Sequence, residues 1–436
     1  MNRFLQETQD AEGADLEAAE FWLRSRMQVV SGKILLGLSK LAENGYKGSS
    51  LPCSCGQRAR FVEYRKKPLG TVVGRILLER AYYHCKDCHR GHIPLDEEWD
   101  IVATEYSPGL RRLMGRVGAN GSFERGHDDL HELAGVEVGT KQIERVSEAI
   151  GAEIRSREIV FQQQIFEGKV SLPSIQRPPG TVYIAVDGTG VPVVPKEVKG
   201  RKGKQEDGKA RTREARLGCL FTQTVTDSRG RPIRDDASTT YVGVIEDAKE
   251  FGKEVYAEVQ RRGLSNAERT VVLGDGAAWI WEMANEHFPG AVQILDLYHA
   301  REHLWKIARI LYDQHEKKRH QWAKRRISEL DQGKVSSIVK AIKWALPHNP
   351  AVADSLRTEA EFFRKNRQRM QYSLFRKLGV FVGSGVVEAG CKTVIGSRAK
   401  QSGMHWTVNG ANAIITLRRC LLNGEWENYW AARTNR

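Results

Sequence analysis

The sequence predicts a multidomain chain in which a mixed α/β core follows smaller N-terminal modules. Three observations lead there. Short apolar runs of strand type alternate with helical patterns over 180–296, a long stretch of helical periodicity fills 297–378, and two cysteine pairs flank a strand-rich segment near 50–100. The expected parts are an N-terminal amphipathic helical segment (1–48), a zinc ribbon-like module (49–104), a helix-turn-helix-like unit (105–170), the first part of an α/β core (180–296), a helical insertion (297–378) and the second part of the core (379–436).

The first element is read from Leu16, Ala19, Trp22, Leu23, Met27, Val30, Ile34, Leu38 and Leu41, which recur at helical spacing. Its apolar face can pack on the rest of the chain or on a second copy. In the next module, FVEYRKKPLGTVVGRILLERAYYHC alternates apolar and polar residues as two strands around a turn at Pro68-Leu69-Gly70. Cys53-Ser-Cys55 and Cys85-Lys-Asp-Cys88 bracket this hairpin, a spacing that fits four thiolates on one structural Zn²⁺. A ribbon usually spaces such a pair by two residues rather than one, so His89 or His92 can stand in for one thiolate. Cys219, Cys391 and Cys420 lie alone in apolar surroundings and read as small buried side chains.

Over 107–154, Ser107-Pro108 opens one helix, Ser122 caps a second that ends at Gly135, and Thr140 caps a third. Helix, short Gly-containing turn, helix fits a helix-turn-helix that offers Lys141, Gln142 and Arg145 to DNA, and it fits equally a helical hairpin that only packs. Prolines in LPSIQRPPG (172–180) mark a linker. The core then reads as strands at 181–194 (with a glycine break), 216–227, 239–245, 269–275 and 291–296, with a helix over 247–262. A basic loop, KEVKGRKGKQEDGKARTREAR, separates the first two strands.

With 68 Lys+Arg against 54 Asp+Glu, the net charge of +14 favours a polyanionic partner over an acidic small molecule. No apolar run reaches the roughly 18 residues of a membrane span, and the acidic start is unlike a signal peptide, so no membrane partner and a cytoplasmic, nucleoid-associated place are expected.

Two carboxylates stand at strand ends, Asp187 in VDGTGVPV and Asp275 in LGDGAAWIW. On adjacent strands they would face each other, a repulsion that a divalent cation with hard oxygen ligands relieves. The flanking glycines, Gly188 and Gly190 among them, then read as clearance for a bulky ligand. A third carboxylate, Glu388, lies in SGVVEAGCKTVIGSRAKQSGMHW, where Ser384 is placed to cap its helix. Lys392, one turn on, allows the plainer reading of an exposed i, i+4 pair. Trp279 and Trp281 read as packing for the helix after Asp275, while Trp406, after the basic Arg398 and Lys400, is a candidate for stacking on a base.

These segments, with DLYHAREHLW, resemble in order the signature segments of bacterial DDE transposases of the ISKra4 insertion-sequence family, which are akin to Mutator-type enzymes. The resemblance spans about residues 180–425. It implies a ribonuclease H-like mixed sheet with a large helical insertion. It also implies that Asp187, Asp275 and Glu388 hold two Mg²⁺ (or Mn²⁺) ions, and that His299 of Asp296-Leu-Tyr-His299 serves the active site. His299 and His303, four apart, can alternatively bind zinc. The implied function is Mg-dependent cleavage and strand transfer on transposon-end and target DNA, by a homodimer or higher oligomer, with Lys392, Arg398, Lys400 and Trp406 as DNA contacts. Three other readings compete. A phosphatase of the haloacid dehalogenase type would need its nucleophile two residues before Asp187, where Ala185 stands. A non-catalytic DNA-binding regulator and a nuclease that cuts without joining stay open.

Overall fold

The computed structural model describes residues 16–171, 173, 178–203 and 209–434. Most of the expected linker at 172–180 and the middle of the basic loop lie outside the described residues. The chain divides into two compact units, residues 1–150 with 427–436, and residues 151–426. The division falls inside the helix Thr140–Phe166, not at the proline-rich segment.

In the first unit, helix Leu16–Leu41 is followed by strands β1 (Ser50–Pro52), β2 (Arg58–Thr71), β3 (Gly74–His84) and β4 (Gly91–His92), an antiparallel sheet in sequential order. The hairpin turn is not at Pro68-Leu69-Gly70. Pro68 lies within β2 opposite Leu77, and the chain reverses between Thr71 and Gly74. The turn chemistry explains the shift: Gly74 takes φ 95°, and the Thr71 hydroxyl donates to the Gly74 carbonyl while accepting from the Val73 amide. Pro68 is tolerated because β1 pairs only with Arg58–Arg60, so the far half of β2 is an edge.

Helices Pro108–Asn120, Phe123–Ala134 and the start of Thr140–Phe166 share a core of Leu110, Met114, Leu130, Val136, Val138 and Ile143. The Ser107 and Ser122 hydroxyls cap the first two, each accepting an amide three residues on at 3.2 Å. Gly135 ends the second in the left-handed conformation, φ 64°.

The second unit is built on a five-stranded mixed sheet. Its strands are β5 (Thr181–Pro192), β6 (Thr212–Gln223), β9 (Thr240–Val244), β10 (Arg269–Gly274) and β11 (Val292–Leu295), in the order β11-β10-β5-β6-β9. A two-stranded ribbon, β7 (Val225–Thr226) with β8 (Pro232–Ile233), sits between β6 and β9 in sequence. β5, β6 and β9 pair antiparallel, whereas β10 runs parallel to β5 and β11 parallel to β10. Parallel neighbours need crossovers, and helices Ala248–Arg261 and Ala278–His287 supply them. The expected glycine break in β5 is absent: β5 pairs with β6 without interruption from Thr181 to Pro192.

Five helices follow β11, at Leu297–Leu311, Glu316–Asp331, Val335–Ala345, Ala353–Lys365 and Tyr372–Lys377. The chain then returns to the sheet through helix Gly385–Gly390, a π-helical turn Cys391–Gly396, and helix Val408–Leu422. That last helix closes the open edge of β9. The Asn412 side-chain Oδ1 accepts from the Ile245 amide at 2.7 Å, and the Asn423 side chain accepts from the Tyr241 amide and donates to the Tyr241 carbonyl. Among the described residues no helix is long and apolar enough to cross a membrane.

Gly151 shows packing overriding propensity. Within helix Thr140–Phe166 a glycine costs about 1 kcal/mol relative to alanine, yet a Cβ there would collide with the backbone carbonyl of Ala413. Gly151→Ala should therefore lower unfolding stability by about 1–3 kcal/mol, the cost of overpacking, in a denaturant titration. A gain in stability would show that helix Val408–Leu422 does not approach this closely.

Candidate functional site

β5 is central in the sheet, and its first six residues are buried. Asp187 is the first residue to emerge. In the parallel register Leu273 lies opposite Ala185, and two residues further along each strand stand Asp275 and Asp187. The two carboxylates therefore stand side by side where the pairing of β5 with β10 ends, Asp275 just past the end of β10 and Asp187 within β5, which continues to Pro192. The Asp187 Oδ1 accepts from the Gly188 amide at 2.7 Å, and the Asp275 Oδ1 accepts from the Ala277 amide at 2.9 Å. Burial holds the Asp187 carboxyl above its ordinary range, and the neighbouring charge of Asp275 pushes in the same direction. His299 acts oppositely on Asp187.

The third carboxylate arrives from far along the sequence. Asp296, buried at the end of β11, accepts from the His299 amide at 2.6 Å and from the Ser384 amide at 2.5 Å. Nearby, the Leu297 amide donates to the Val382 carbonyl at 3.0 Å. The Tyr183 hydroxyl accepts from the Phe381 amide, and the Gln223 side chain donates to the Gly379 carbonyl. Residues 379–384 are thus fastened across β5, β6 and β11, and helix Gly385–Gly390 starts from that anchor. Ser384 does not cap the helix with its side chain; its backbone is instead held by Asp296.

Glu388 itself is exposed and pairs with Lys392 at 2.8 Å, the plain i, i+4 arrangement. Its helix still reaches the site, because Cys391, one turn on, donates its thiol to the Asp187 Oδ2 at 3.6 Å. Cys391 is buried, as expected of a lone cysteine, but its contact with Asp187 was not legible in sequence: nothing in CKTVIG marks a thiol for a carboxylate 204 positions away.

Several expected roles change. The glycines do not clear space for a ligand. A Cβ at Gly188 would strike the Glu214 carboxyl, one at Gly190 would press on Thr212, and one at Gly274 would strike Ile280. Gly276 needs its φ of 105° and abuts Leu295 and Phe362. These glycines make room for the protein's own side chains. Arg398 is fully buried, its guanidinium 5.0 Å from the Trp406 ring, and so is removed from any DNA surface. Trp406 is buried too; its indole donates to the Ala399 carbonyl and its backbone pairs beyond the end of β5. In the core the indole bonds the Ala399 carbonyl, and the guanidinium lies by the Trp406 ring and donates to the Met404 sulfur at 3.7 Å. Trp281 is buried with Arg369 over its ring, and Trp279 packs edge-on against Phe251. Lys400 stays at the surface and reaches the Thr189 hydroxyl.

His299 lies at the first turn of Leu297–Leu311, its Nδ1 3.3 Å from Glu302. His303 is committed elsewhere: it bonds the buried Glu359 at 2.6 Å and stacks on Phe362. The two histidines therefore do not form a zinc pair. Among the described residues, one group of three or more His, Cys, Asp or Glu side chains brings its ligand atoms within 4.8 Å of one another, and it is Cys53, Cys55, Cys85 and Cys88. As they stand, the three carboxylates do not close to that distance.

The four thiols can hold a metal ion such as zinc. Cys53 and Cys88 lie 3.5 Å apart and Cys55 and Cys85 3.6 Å apart, on the two turns that join β1 to β2 and β3 to β4. The Cys55 amide helps pull the Cys53 thiol down to about 6, which favours the thiolate that a metal takes. His92 Nε2 comes within 3.2 Å of Cys53, whereas the His89 ring faces His84. Of the two histidines, His92 alone touches the cluster.

Lys141, Gln142 and Arg145 are exposed at the start of Thr140–Phe166, with Lys141 paired to Glu144 at 2.8 Å. Set against protein-family models and against curated proteins, the sequence matches none.

The cluster geometry predicts one tightly held zinc per chain by elemental analysis. Cys85→Ser should lose it, because a hydroxyl is a poor substitute for a thiolate, while His92→Ala should keep it. Zinc retained by Cys85→Ser, or lost by His92→Ala, would reassign the ligand set.

Proposed function

We propose that the second unit is the catalytic core of a DNA transposase that cleaves and joins DNA with Mg²⁺ or Mn²⁺ at Asp187, Asp275 and Glu388. The observation that carries this reading is the placement of Asp187 and Asp275 side by side where the parallel pairing of β5 and β10 ends, with the Glu388 helix anchored beside them. The strand order, three antiparallel strands followed by two parallel ones added at the β5 edge, supports a ribonuclease H-like core. Net charge of +14 and the exposed Lys141, Gln142 and Arg145 support a DNA substrate, with the first unit as a zinc ribbon and helix-turn-helix that bind it. Pairing of two DNA ends by a dimer or higher oligomer belongs to the same reading.

The donor set suits a hard divalent cation. Two carboxylates forced together at a half-buried position are a standing repulsion, and oxygen ligands are what Mg²⁺ and Mn²⁺ accept. Bound there, such ions would supply charge neutralisation and an activated oxygen nucleophile for in-line attack on a phosphodiester. The chain's own residues do the rest. Asp187 sits between Asp275 and the Glu388 helix and is the group both sides share. Asp296 positions the backbone that carries Glu388, and His299 is near enough for its charge to act on Asp187. Lys392 keeps Glu388 in solvent until a stronger partner draws it inward; an exposed i, i+4 pair holds it by only about 0.3–0.5 kcal/mol. Lys400, at Thr189, offers a cation to a phosphate beside the strand end.

The test is a cleavage and strand-transfer assay with Mg²⁺ on DNA taken from the two flanks of the gene. The parent chain should yield nicked and joined products. Asp275→Asn and Glu388→Gln should each lower both by at least about 100-fold, beyond the 10–100-fold that loss of an outer metal partner already costs, with DNA binding retained. Unchanged activity in Asp275→Asn would sink the assignment. Cleavage without joined products would make the chain a nuclease, and binding without cleavage a regulator.

A further inference from the structure

Helix Leu16–Leu41 has two apolar faces, and its own unit uses only one. Gly32 and Ser39 are buried, and Leu35 and Leu36 pack on the cluster of Leu69, Ile76, Leu78, Leu95 and Ile101. On the same side the Gln28 amide donates to the carbonyls of Ala134 and Gly135, and Arg24 donates to the Glu132 carbonyl. The other side is left to water. Leu16, Leu23, Met27, Val30, Ile34, Leu38 and Leu41 have exposures between 48% and 83%. At about 100° per residue these seven fall in a stripe roughly 80° wide, turned well away from the packed face.

The spacing identifies what fits the stripe. Leu16, Leu23 and Val30 recur every seven residues and Met27, Ile34 and Leu41 form a second series with the same period, the first interrupted at Gly37 and the second at Glu20. A strict seven-residue repeat keeps a seam in register with a partner helix having the same repeat, whereas a globular surface makes no such demand. The helix of 26 residues covers nearly four heptads, and Leu23, Met27, Val30 and Ile34 carry both series without a break through its middle. A stripe about 39 Å long and 10 Å wide presents about 400 Å² per chain. Two copies would bury about 800 Å² before interdigitation adds the flanks, close to the ~1,000 Å² of a specific interface.

Charge then fixes the direction. Arg26, Lys33 and Lys40 flank one side of the seam, and Arg24, Ser31 and Leu38 flank the other. Antiparallel copies would set Arg26 of one beside Lys33 of the other. Parallel copies set Arg26 against Ser31 and Lys33 against Leu38, with no like charges opposed.

We propose that residues 16–41 form a parallel two-stranded coiled coil with a second copy of this chain. The inference does not depend on the catalytic reading and goes beyond it by naming the seam and its direction.

The test is light scattering of the full, zinc-loaded chain at micromolar concentration. The parent should give a mass twice the 49.2 kDa of one chain. The double variant Val30→Glu with Ile34→Glu should give the single-chain mass with zinc content and far-ultraviolet dichroism unchanged. Leu23→Cys should form a covalent dimer on mild oxidation where the parent does not, since like residues meet only in a parallel pair. A monomeric parent, or a double variant that stays dimeric, would overturn the proposal. So would a Leu23→Cys dimer that fails to cross-link, or a monomer whose helix binds anionic phosphatidylglycerol vesicles instead.

Discussion

The arrangement of the second unit depends on one buried carboxylate, Asp296. Its amide donates to the Gly274 carbonyl, one residue before Asp275. Its two oxygens take the amides of His299 and Ser384, the latter four residues before Glu388. The segments that carry Asp275 and Glu388 are therefore both tied to one residue, the first through its backbone amide and the second through its side chain. A buried charge accepting charge-assisted hydrogen bonds from backbone amides is satisfied without a counter-ion. Removing it would strand two amides and loosen the Ser384 end of the 379–384 segment, from which the Glu388 helix starts, while Gly379, Phe381 and Val382 keep their own bonds to Gln223, Tyr183 and Leu297. Asp296 is a positioning residue in this account: it touches the frame of the site and not its reacting atoms.

The same frame explains the division of labour among the three carboxylates. Asp187 and Asp275 are fixed by the sheet, so their proximity is a property of the fold. Glu388 is carried on a short helix followed by a π-helical turn, with Cys391 facing Asp187 in its place. π-helical insertions concentrate at functional positions because they displace a helix face by a fraction of a turn. On the proposed reading, two ligands fixed by the sheet would be joined by a third that now lies in solvent, paired with Lys392.

Much of this was legible in the sequence, for identifiable reasons. The strands of the core showed as apolar runs, and the cysteine pairs showed as close spacings, because both signals are local. The hairpin turn was misplaced by three residues: Pro68-Leu69-Gly70 has turn composition, but the positive φ was needed at Gly74. The glycines around Asp187 and Asp275 were misread because their neighbours, Glu214 and Ile280, become neighbours only on folding. Arg398 and Trp406 looked like a DNA-facing pair for the same reason; their mutual stacking in the core has no sequence signature. Asp296 stood out in sequence only through its neighbour His299, and its bond to Ser384, 88 residues on, could not be read there.

Asp187 and Asp275 are proposed as the fixed half of a divalent-cation site. Anomalous scattering from crystals grown with Mn²⁺ addresses it most directly. The expected result is a Mn²⁺ peak within about 2.0–2.6 Å of carboxylate oxygens of both Asp187 and Asp275, the range for hard-cation ligands, with Glu388 turned from Lys392 toward it. Crystals with no manganese at that position, and with the Glu388–Lys392 pair intact at saturating Mn²⁺, would contradict it.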